Sequence, residues 1–372
     1  MRRAEQSSRS REGDLRLRRG SYGLALTLRW NPRPRPEGTT SFCKHDWRMI
    51  LQRVLALAVL VFLAPLSSAL AGPSMVIEPE SGLVIYAEEA DRPWHPASLT
   101  KLMTAYLTFE ALRDGKLALT DKIKCSEHAL SQPPSKIGLP VGGEMTVDLA
   151  LKALIIKSAN DVAVMLAERI SGSELAFVER MNQTANRLGM SQTTFFNANG
   201  LPNDQQVTTA RDMATLGRAL FKEFPQHADL YSMPSFKIGK RTLRSHNGLL
   251  KTFEGADGMK TGFICASGYN VVASAKRDGR RMLAVVLGAE SGGARSARAA
   301  QLIQHGFDFF AWKEMFPTWI EQMELDATVD KTPGDLKMVV CKPRPVRRKK
   351  RARVKAKTKV VAPVAKKAAK PE

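Results

Sequence analysis

The stretch His95–Leu112, HPASLTKLMTAYLTFEAL, places a serine and a lysine at the start of an otherwise apolar segment. The spacing of its apolar residues predicts a helix from about Ala97 to Leu112. Ser98 and Lys101 are three residues apart, so their side chains would lie on the same helix face. A serine hydroxyl becomes a good nucleophile when a neighbouring base takes its proton, and burial beside a second cation can make lysine that base. Alone, however, this spacing is more typical of a solvated helix surface.

Two further motifs follow in the chain. Ser158-Ala159-Asn160 lies at a predicted junction between two helices, and Lys260-Thr261-Gly262 lies at the predicted start of a strand. Each motif alone is weak. In this order they form the set typical of penicillin-binding proteins and serine β-lactamases. The residue types suit acyl transfer: Asn160 can hold a lysine or a substrate amide, Thr261 offers a hydroxyl, and Gly262 lets a strand approach a bound peptide closely.

The segments around these motifs predict an α+β fold, in which an antiparallel sheet is flanked by helices and interrupted by an inserted helical block. Two short strands are expected on either side of Glu80-Ser81-Gly82. The stretch from Met259 contains two β-rich runs joined by a hairpin turn at Asp278-Gly279. One continuous helix is expected to end at Ser158. Residues 320–341 are expected to form one or two strands.

The net charge of +21 is concentrated at the two ends of the 372-residue chain. Residues 1–48 carry a net +7 and residues 342–372 a net +13, whereas residues 72–341 balance 30 basic against 30 acidic side chains. A fold that binds nucleic acid carries its basic patch on the folded surface, so this neutral body argues against a nucleic-acid partner. The terminal segment 342–372 is Lys/Arg/Ala/Pro/Val-rich and is predicted to be disordered.

An export signal is predicted at residues 49–71. An apolar run from Val54 to Leu66 follows Arg53 and leads to Ala69-Leu70-Ala71, a small-x-small cleavage pattern. The run is short for a spanning helix, although a retained anchor is the alternative. The simplest hypothesis is that translation starts at Met49, so that residues 1–48 are not translated; a disordered basic N-terminal extension at 1–48 is the alternative. The catalytic domain is expected at 72–316, followed by a short C-terminal segment at 317–341.

Cysteine and histidine spacing predicts neither a metal site nor a cofactor. Cys43 precedes the expected cleavage, which leaves three cysteines and at most one disulfide. Cys125 and Cys265 are the pair that we considered, with three free thiols as the alternative.

The chain resembles the serine-type D-alanyl-D-alanine carboxypeptidases, which are low-molecular-mass penicillin-binding proteins with a DD-peptidase/β-lactamase-like transpeptidase fold. The resemblance covers about residues 74–310. Besides the three motifs, it rests on PPSKIGLPVG from Pro133, FFNANGLPND from Phe195, VTTARDMA from Val207, SHNGLL from Ser245, and the long stretch GADGMKTGFICASGYNVVASAKRDGRRMLAVVLGAE from Gly255.

The resemblance implies the role of each motif residue. Ser98 would be the nucleophile and Lys101 the general base, while Ser158 and Asn160 would relay protons and orient groups. Substrate binding would fall to Lys260, Thr261, Gly262 and Phe263, the last through its backbone N–H. The implied substrates are peptidoglycan stem peptides that end in D-Ala-D-Ala, and the implied inhibitors are β-lactams. The enzyme would be exported to the periplasm or cell envelope.

Three alternatives differ in reaction or class. A D,D-endopeptidase acting on crosslinked peptidoglycan would use the same site. A class A β-lactamase needs a deacylating glutamate, and Glu168, Glu174 and Glu179 all fall in predicted helices. A non-catalytic binder of cell-wall peptides would be expected to lack Ser98 or Lys101.

The basic tail is expected to attract an anionic membrane or another anionic envelope surface.

Overall fold

The computed structural model describes residues 72–341. The predicted basic extension (1–48), signal peptide (49–71) and basic tail (342–372) lie outside the described residues. Within residues 72–341, no helix is both long enough and apolar enough to cross a membrane.

The central sheet has five antiparallel strands in the order β2-β1-β9-β8-β7. These strands are β1 Ser74–Glu78, β2 Leu83–Glu88, β7 Ala256–Ile264, β8 Gly268–Arg277 and β9 Arg280–Ala289. Two small hairpins pair β3 Lys122–Lys124 with β4 Glu144–Thr146, and β5 Ser235–Ile238 with β6 Arg241–Arg244. The α+β class is confirmed, as are the turn at Glu80-Ser81-Gly82 and the hairpin at Asp278-Gly279.

The helices form an inserted block between β2 and β7, one long helix after β9 and a one-turn helix near residue 340. They are α1 Lys101–Arg113, α2 Glu127–Ser131, α3 Val147–Lys152, α4 Asn160–Ser171, α5 Glu174–Arg187, α6 Ala210–Glu223, α7 Asp229–Ser232, α8 Leu249–Thr252, α9 Gly292–Met315 and α10 Lys337–Val340. Five of them begin after a Ser or Thr whose side chain accepts a backbone N–H of the first turn, which is the usual N-terminal cap. These caps are Ser126, Thr146, Ser173, Thr209 and Ser291.

Both faces of the sheet are covered, and strand β9 shows how. Its alternating side chains Leu283, Val285 and Leu287 join the core shared with the helical block. The intervening Met282, Ala284 and Val286 pack with α9 residues in a second core. Because successive strand side chains point to opposite faces, the apolar run from Met282 to Leu287 is buried on both sides. The sheet therefore forms the middle layer, and β7 lies at its edge beside the helical block.

Around the motifs, two predicted helices have the expected bounds but change helix type, and one predicted strand start was wrong. A 3-10 helix, Ala97–Thr100, precedes α1 and contains Ser98. The helix expected to end at Ser158 changes to a π-helix at Ala153–Lys157. The Lys260-Thr261-Gly262 motif lies within β7 rather than at its start, because an additional β-run begins at Ala256. The sequence pattern placed the start of this strand too late, because its first residues, Ala256, Asp257 and Gly258, are poor strand formers.

The segment 317–341, which we call the C-terminal strap, contains no strand. It has only the 3-10 helix Ile320–Gln322, the one-turn helix α10 and an isolated bridge between Leu83 and Trp319. The predicted strands were wrong because the segment lies over the surface of the domain instead of extending its sheet. The hypothesis that Cys125 pairs with Cys265 was also wrong, as was the alternative of three free thiols: Cys265 is bonded to Cys341, and Cys125 is a buried free thiol.

Candidate active site

Ser98 lies in the 3-10 helix immediately before α1, and Lys101 is the first residue of α1. The Lys101 Nζ lies 3.1 Å from the Ser98 Oγ. Lys101 is fully buried, whereas Ser98 is half-buried and lines an open cleft of about 500 Å³. The predicted pair is therefore assembled with the hydroxyl facing the cleft and the amine behind it.

Two oxygen atoms orient the Lys101 amine. The Asn160 Oδ1 accepts a hydrogen bond of 2.7 Å from Lys101 Nζ, and the backbone carbonyl of Asn199 accepts another. The Asn160 amide cannot turn freely, because its Nδ2 donates to the Pro133 carbonyl at 2.9 Å. A neutral amine has two N–H groups and one lone pair. With both N–H groups directed at fixed acceptors, the lone pair can face the Ser98 hydroxyl.

The surroundings of Lys101 favour this neutral form. Burial lowers the pKa of Lys101 well below its usual range, and the positive charge of Lys260 lowers it further. Burial likewise lowers the pKa of Lys260 to about 7, with a smaller contribution from the Arg295 guanidinium. Burial therefore shifts both lysines toward the neutral form, and Lys101, which lies beside the Ser98 hydroxyl, is the one placed to accept its proton.

The second motif reaches the site through an unusual backbone. The π-helix Ala153–Lys157 ends at Ser158, which has a left-handed conformation with φ 61° and ψ 41°. Such a conformation is costly for a non-glycine residue and is found most often at functional sites. Here it places the Ser158 Oγ 2.8 Å from Lys260 Nζ, while Asn160 in the next turn reaches Lys101. The motif therefore connects the two lysines.

The third motif places β7 against the Ser98 helix. A Cβ atom on Gly262 would lie 2.9 Å from the Pro96 carbonyl oxygen and 3.2 Å from the Ser98 nitrogen, so only glycine allows this approach. Thr261 and the half-exposed Phe263 line the cleft, and the Phe263 ring packs on Tyr269 with ring centroids 4.4 Å apart. All eight predicted site residues are thus brought together, although Lys101 and Lys260 lie behind the cleft wall rather than in it.

Two contributors were missed by the sequence reasoning. The Asn199 contact uses a backbone carbonyl, and it depends on Gly200, where a Cβ atom would lie 1.9 Å from the Ala97 carbonyl oxygen. Arg295 lies in the first turn of α9, is largely buried and lines the cleft. For Asn199, the available signal was its position in the FFNANGLPND stretch, which supports the family resemblance but does not indicate a role for this residue. No local pattern marks Arg295.

The three candidates for the deacylating glutamate of a class A β-lactamase do not line the cleft. Glu168 accepts a hydrogen bond from the Ser126 hydroxyl, and Glu174 bonds His128 and the Ala198 N–H. Glu179 is exposed on α5. Of the described residues that line the cleft, none is an aspartate or glutamate. Within residues 72–341 there is also no group of three or more His, Cys, Asp or Glu side chains that could hold a metal ion.

The fold and the site define a class: the serine enzymes that combine these three motifs, which comprise penicillin-binding proteins and serine β-lactamases. The family model described as D-alanyl-D-alanine carboxypeptidase matches residues 63–291. The chain belongs to the D-alanyl-D-alanine carboxypeptidase family.

Curated relatives and solved structures agree with this assignment. The chain is 38% identical over 238 residues to D-alanyl-D-alanine carboxypeptidase DacF of Bacillus subtilis, covering 63% of this chain and 61% of that one. It is 37% identical over 237 residues to DacC of Escherichia coli, covering 62% and 59%. Penicillin binding protein 5 of Haemophilus influenzae superposes with a TM-score of 0.62 at 35% identity, covering 64% and 71%. The cefotaxime-bound penicillin-binding protein D2 of Listeria monocytogenes gives 0.58 at 33%, covering 64% and 97%.

The chain spans about three fifths of the length of these two curated relatives.

Proposed function

We propose that this protein is an exported serine D-alanyl-D-alanine carboxypeptidase. It removes the terminal D-alanine from peptidoglycan stem pentapeptides through an acyl-enzyme on Ser98, and penicillins acylate the same serine. The observation that carries this proposal is the buried Lys101 amine, which lies 3.1 Å from the Ser98 Oγ with two other acceptors taking its N–H groups. Family membership supplies the substrate class.

Acylation begins when neutral Lys101 accepts the proton of the Ser98 hydroxyl. The Ser98 oxygen attacks the carbonyl carbon between the two terminal D-alanines, and negative charge develops on the carbonyl oxygen. The backbone N–H groups of Ser98 and Phe263 form the oxyanion hole, because Gly262 brings the two backbones together. Donors placed in advance at such a position stabilise the transition state without reorganisation.

The leaving D-alanine needs a proton on its nitrogen and a place for its carboxylate. The Ser158 hydroxyl lies between Lys260 and the cleft, so it delivers a proton to the leaving nitrogen and recovers one from the lysines behind it. The carboxylate is received by positive charge from Lys260 and Arg295 and by the Thr261 hydroxyl. The carbon–nitrogen bond then breaks, and free D-alanine departs.

In deacylation Lys101 again acts as the base, this time toward a water molecule. Water attacks the Ser98 ester while Lys101 accepts its proton, and that proton returns to the Ser98 oxygen as the acid product leaves. Within residues 72–341, no carboxylate lines the cleft to activate water against a bulky penicilloyl group. We therefore expect the penicillin acyl-enzyme to persist, unlike that of a class A β-lactamase, which hydrolyses it with the help of a glutamate.

Penicillin labelling followed by peptide mapping tests the proposed nucleophile. The label should fall on the peptide that contains Ser98 and should stay attached after excess penicillin is removed. Rapid loss of the label with release of the hydrolysed penicillin would favour the β-lactamase alternative. Crosslinked muropeptide dimers, supplied beside a pentapeptide, distinguish endopeptidase from carboxypeptidase activity. Failure to label Ser98 would contradict the proposal.

The localisation and the tail belong to the same proposal. Segment 49–71 would direct export to the periplasm or cell envelope. Segment 342–372, with 14 Lys/Arg and one acidic residue, would hold the neutral catalytic domain near an anionic membrane or another anionic envelope polymer. Each Lys or Arg near such a membrane contributes up to about 1 kcal/mol, and salt screens the attraction.

A further inference from the structure

The C-terminal strap is fixed to the domain along its length. The Thr318 carbonyl accepts a hydrogen bond of 2.8 Å from the Val84 N–H of β2. Farther along, Arg211 of α6 donates to the carbonyls of Met323 and Glu324 at 2.6 and 2.7 Å. Arg211 is itself held by a buried ion pair of 2.6 Å with Asp91. The strap is thus an ordered part of the folded domain rather than a loose end.

The strap ends on the turn between β7 and β8, which is residues 265–267. Cys341 is bonded to Cys265, and the Leu336 N–H donates to the Ala266 carbonyl at 2.7 Å. The buried Leu336 side chain also lies against Gly268, where a Cβ atom would be 2.7 Å from the Leu336 Cδ1. Leu336 and Cys341 therefore contact the turn that directly follows the active-site strand β7 and the first residue of β8.

Trp94 joins this contact to the segment that leads to Ser98. Its ring lies directly against the backbone of the strap at Gly334, where a Cβ atom would be 1.9 Å from the Trp94 Cζ3. Its indole N–H donates to the Ser267 carbonyl at 2.9 Å. Trp94 is buried and lies four residues before Ser98. The strap, the β7–β8 turn and the Ser98 segment thus meet at one side chain.

The spacing between β7 and Ser98 matters for the proposed chemistry. An oxyanion hole works only when both N–H donors lie about 3 Å from the same oxygen. The donor on β7 is Phe263, two residues before Cys265, and the β7 backbone contacts the Ser98 segment at Gly262. A displacement of the turn would therefore be transmitted to the Phe263 N–H over a distance of two residues.

We propose that Leu336 and Cys341 are positioning residues for the oxyanion hole, and that opening the Cys265–Cys341 bond slows acylation of Ser98. The reductant is a dithiol: it donates two electrons and two protons, the protein gains two thiols, and the dithiol becomes a cyclic disulfide. This inference rests on the proposed function through the role of the Phe263 N–H.

The test compares oxidised and dithiothreitol-reduced protein. Thiol titration confirms the state of the bond, and stopped-flow labelling with a fluorescent penicillin separates noncovalent binding from the acylation step. Small misplacements of catalytic groups cost up to about 10²-fold, so we expect the acylation rate constant to fall about tenfold, with noncovalent binding changed less than about twofold. The matched control is Cys125→Ser, whose thiol is buried and outside the disulfide, and it should respond to reductant as wild type does.

Variants test the same claim without reductant. The double variant Cys265→Ser/Cys341→Ser should be slow from the outset and insensitive to dithiothreitol. Leu336→Ala should slow acylation in the same direction, and Leu336→Met, which keeps the buried volume, should restore most of the rate. A purely structural role predicts a lower melting temperature with an unchanged acylation rate constant in the folded protein, and that result would overturn the proposal.

Amide hydrogen exchange separates this inference from the proposed function. Residues 262–268 should exchange faster after reduction, whether or not the protein turns over substrate. If oxidised wild-type protein neither binds penicillin covalently nor releases D-alanine, the proposed function fails. If it does both, and reduction leaves the exchange of residues 262–268 and the acylation rate unchanged, the positioning role is wrong while the proposed function stands.

Discussion

Replacing Asn160 with aspartate tests whether Lys101 acts as a base in its neutral form. The Asn160 Oδ1 lies 2.7 Å from Lys101 Nζ, and both side chains are buried. Aspartate has nearly the same shape as asparagine but adds a negative charge beside the amine. An adjacent opposite charge favours the ammonium form and so raises the pKa of Lys101.

The expected size follows from that distance. Two unit charges 2.7 Å apart attract by about 6 kcal/mol at an effective dielectric constant of about 20. Dehydration of the new carboxylate opposes this attraction, and we take about 3 kcal/mol as the net effect. Since about 1.4 kcal/mol corresponds to a factor of ten, the fraction of neutral Lys101 falls about 10²-fold on the acid limb of the pH profile. Acylation should slow by the same factor there.

The assay is the rate constant for acylation by a fluorescent penicillin, measured as a function of pH for wild type, Asn160→Asp and Asn160→Ala. The aspartate variant should move its acid limb to higher pH and recover rate as the pH rises. The alanine variant should lose rate through poor orientation of Lys101 without that upward movement. Superimposable acid limbs for wild type and the aspartate variant, with both proteins folded, would refute the role of Lys101 as base.

Three further predictions concern the rest of the molecule. Because the pKa of Lys260 is lowered to about 7, its positive charge is lost as the pH rises through that value, so the preference for free-acid over C-terminally amidated peptides should decline above about pH 7. At low pH, Lys260→Ala should show a smaller difference in turnover between the two peptides than wild type does. Equal turnover of both peptides by wild type would contradict the role of Lys260 in binding the carboxylate. The fully buried Asp161 carboxylate accepts hydrogen bonds from three backbone N–H groups, two of them from the 137–138 loop. Asp161→Ala should therefore lower the free energy of unfolding, measured by denaturant titration, by about 3 kcal/mol. The control Asp148→Ala removes only a half-exposed ion pair and should lower it by less than about 1 kcal/mol. Truncation after Cys341, which keeps the disulfide, should leave turnover of a small soluble peptide unchanged and abolish salt-sensitive binding to anionic vesicles; binding that survives truncation would place the tether elsewhere.

Much of the site could be predicted because its chemistry lies in short motifs. Ser98 and Lys101 are three residues apart, so local helical geometry alone brings them together. Ser158 and Lys260 are 102 residues apart in the chain, and only the combined motif set predicted that they belong to one site; their direct contact was not predicted. The Asn199 contact could not be predicted in this way, because a backbone carbonyl carries no residue-type signal.

The C-terminal region was harder to predict for a physical reason. Connectivity among three cysteines depends on tertiary placement, and Cys341 reaches Cys265 only because the strap folds back across the domain. Strand patterns in residues 320–341 carried little information. After one bridge between Trp319 and the edge strand β2, the segment is held by hydrogen bonds to Arg211, by the disulfide and by contacts with the β7–β8 turn, not by a continuous ladder of strand hydrogen bonds. Arg295 reaches the cleft for a similar reason, through the packing of α9 on the sheet.

Release of D-alanine from a peptide ending in D-Ala-D-Ala tests the central claim most directly. Wild-type protein should release one D-alanine per peptide, while Ser98→Ala should be slower by about 10⁴-fold or more with its fold unchanged, and Lys101→Ala should lose nearly as much because the two residues act as a unit. Near-wild-type release by folded Ser98→Ala, or no release by wild type, would contradict the assignment of Ser98 as the nucleophile of a D-alanyl-D-alanine carboxypeptidase.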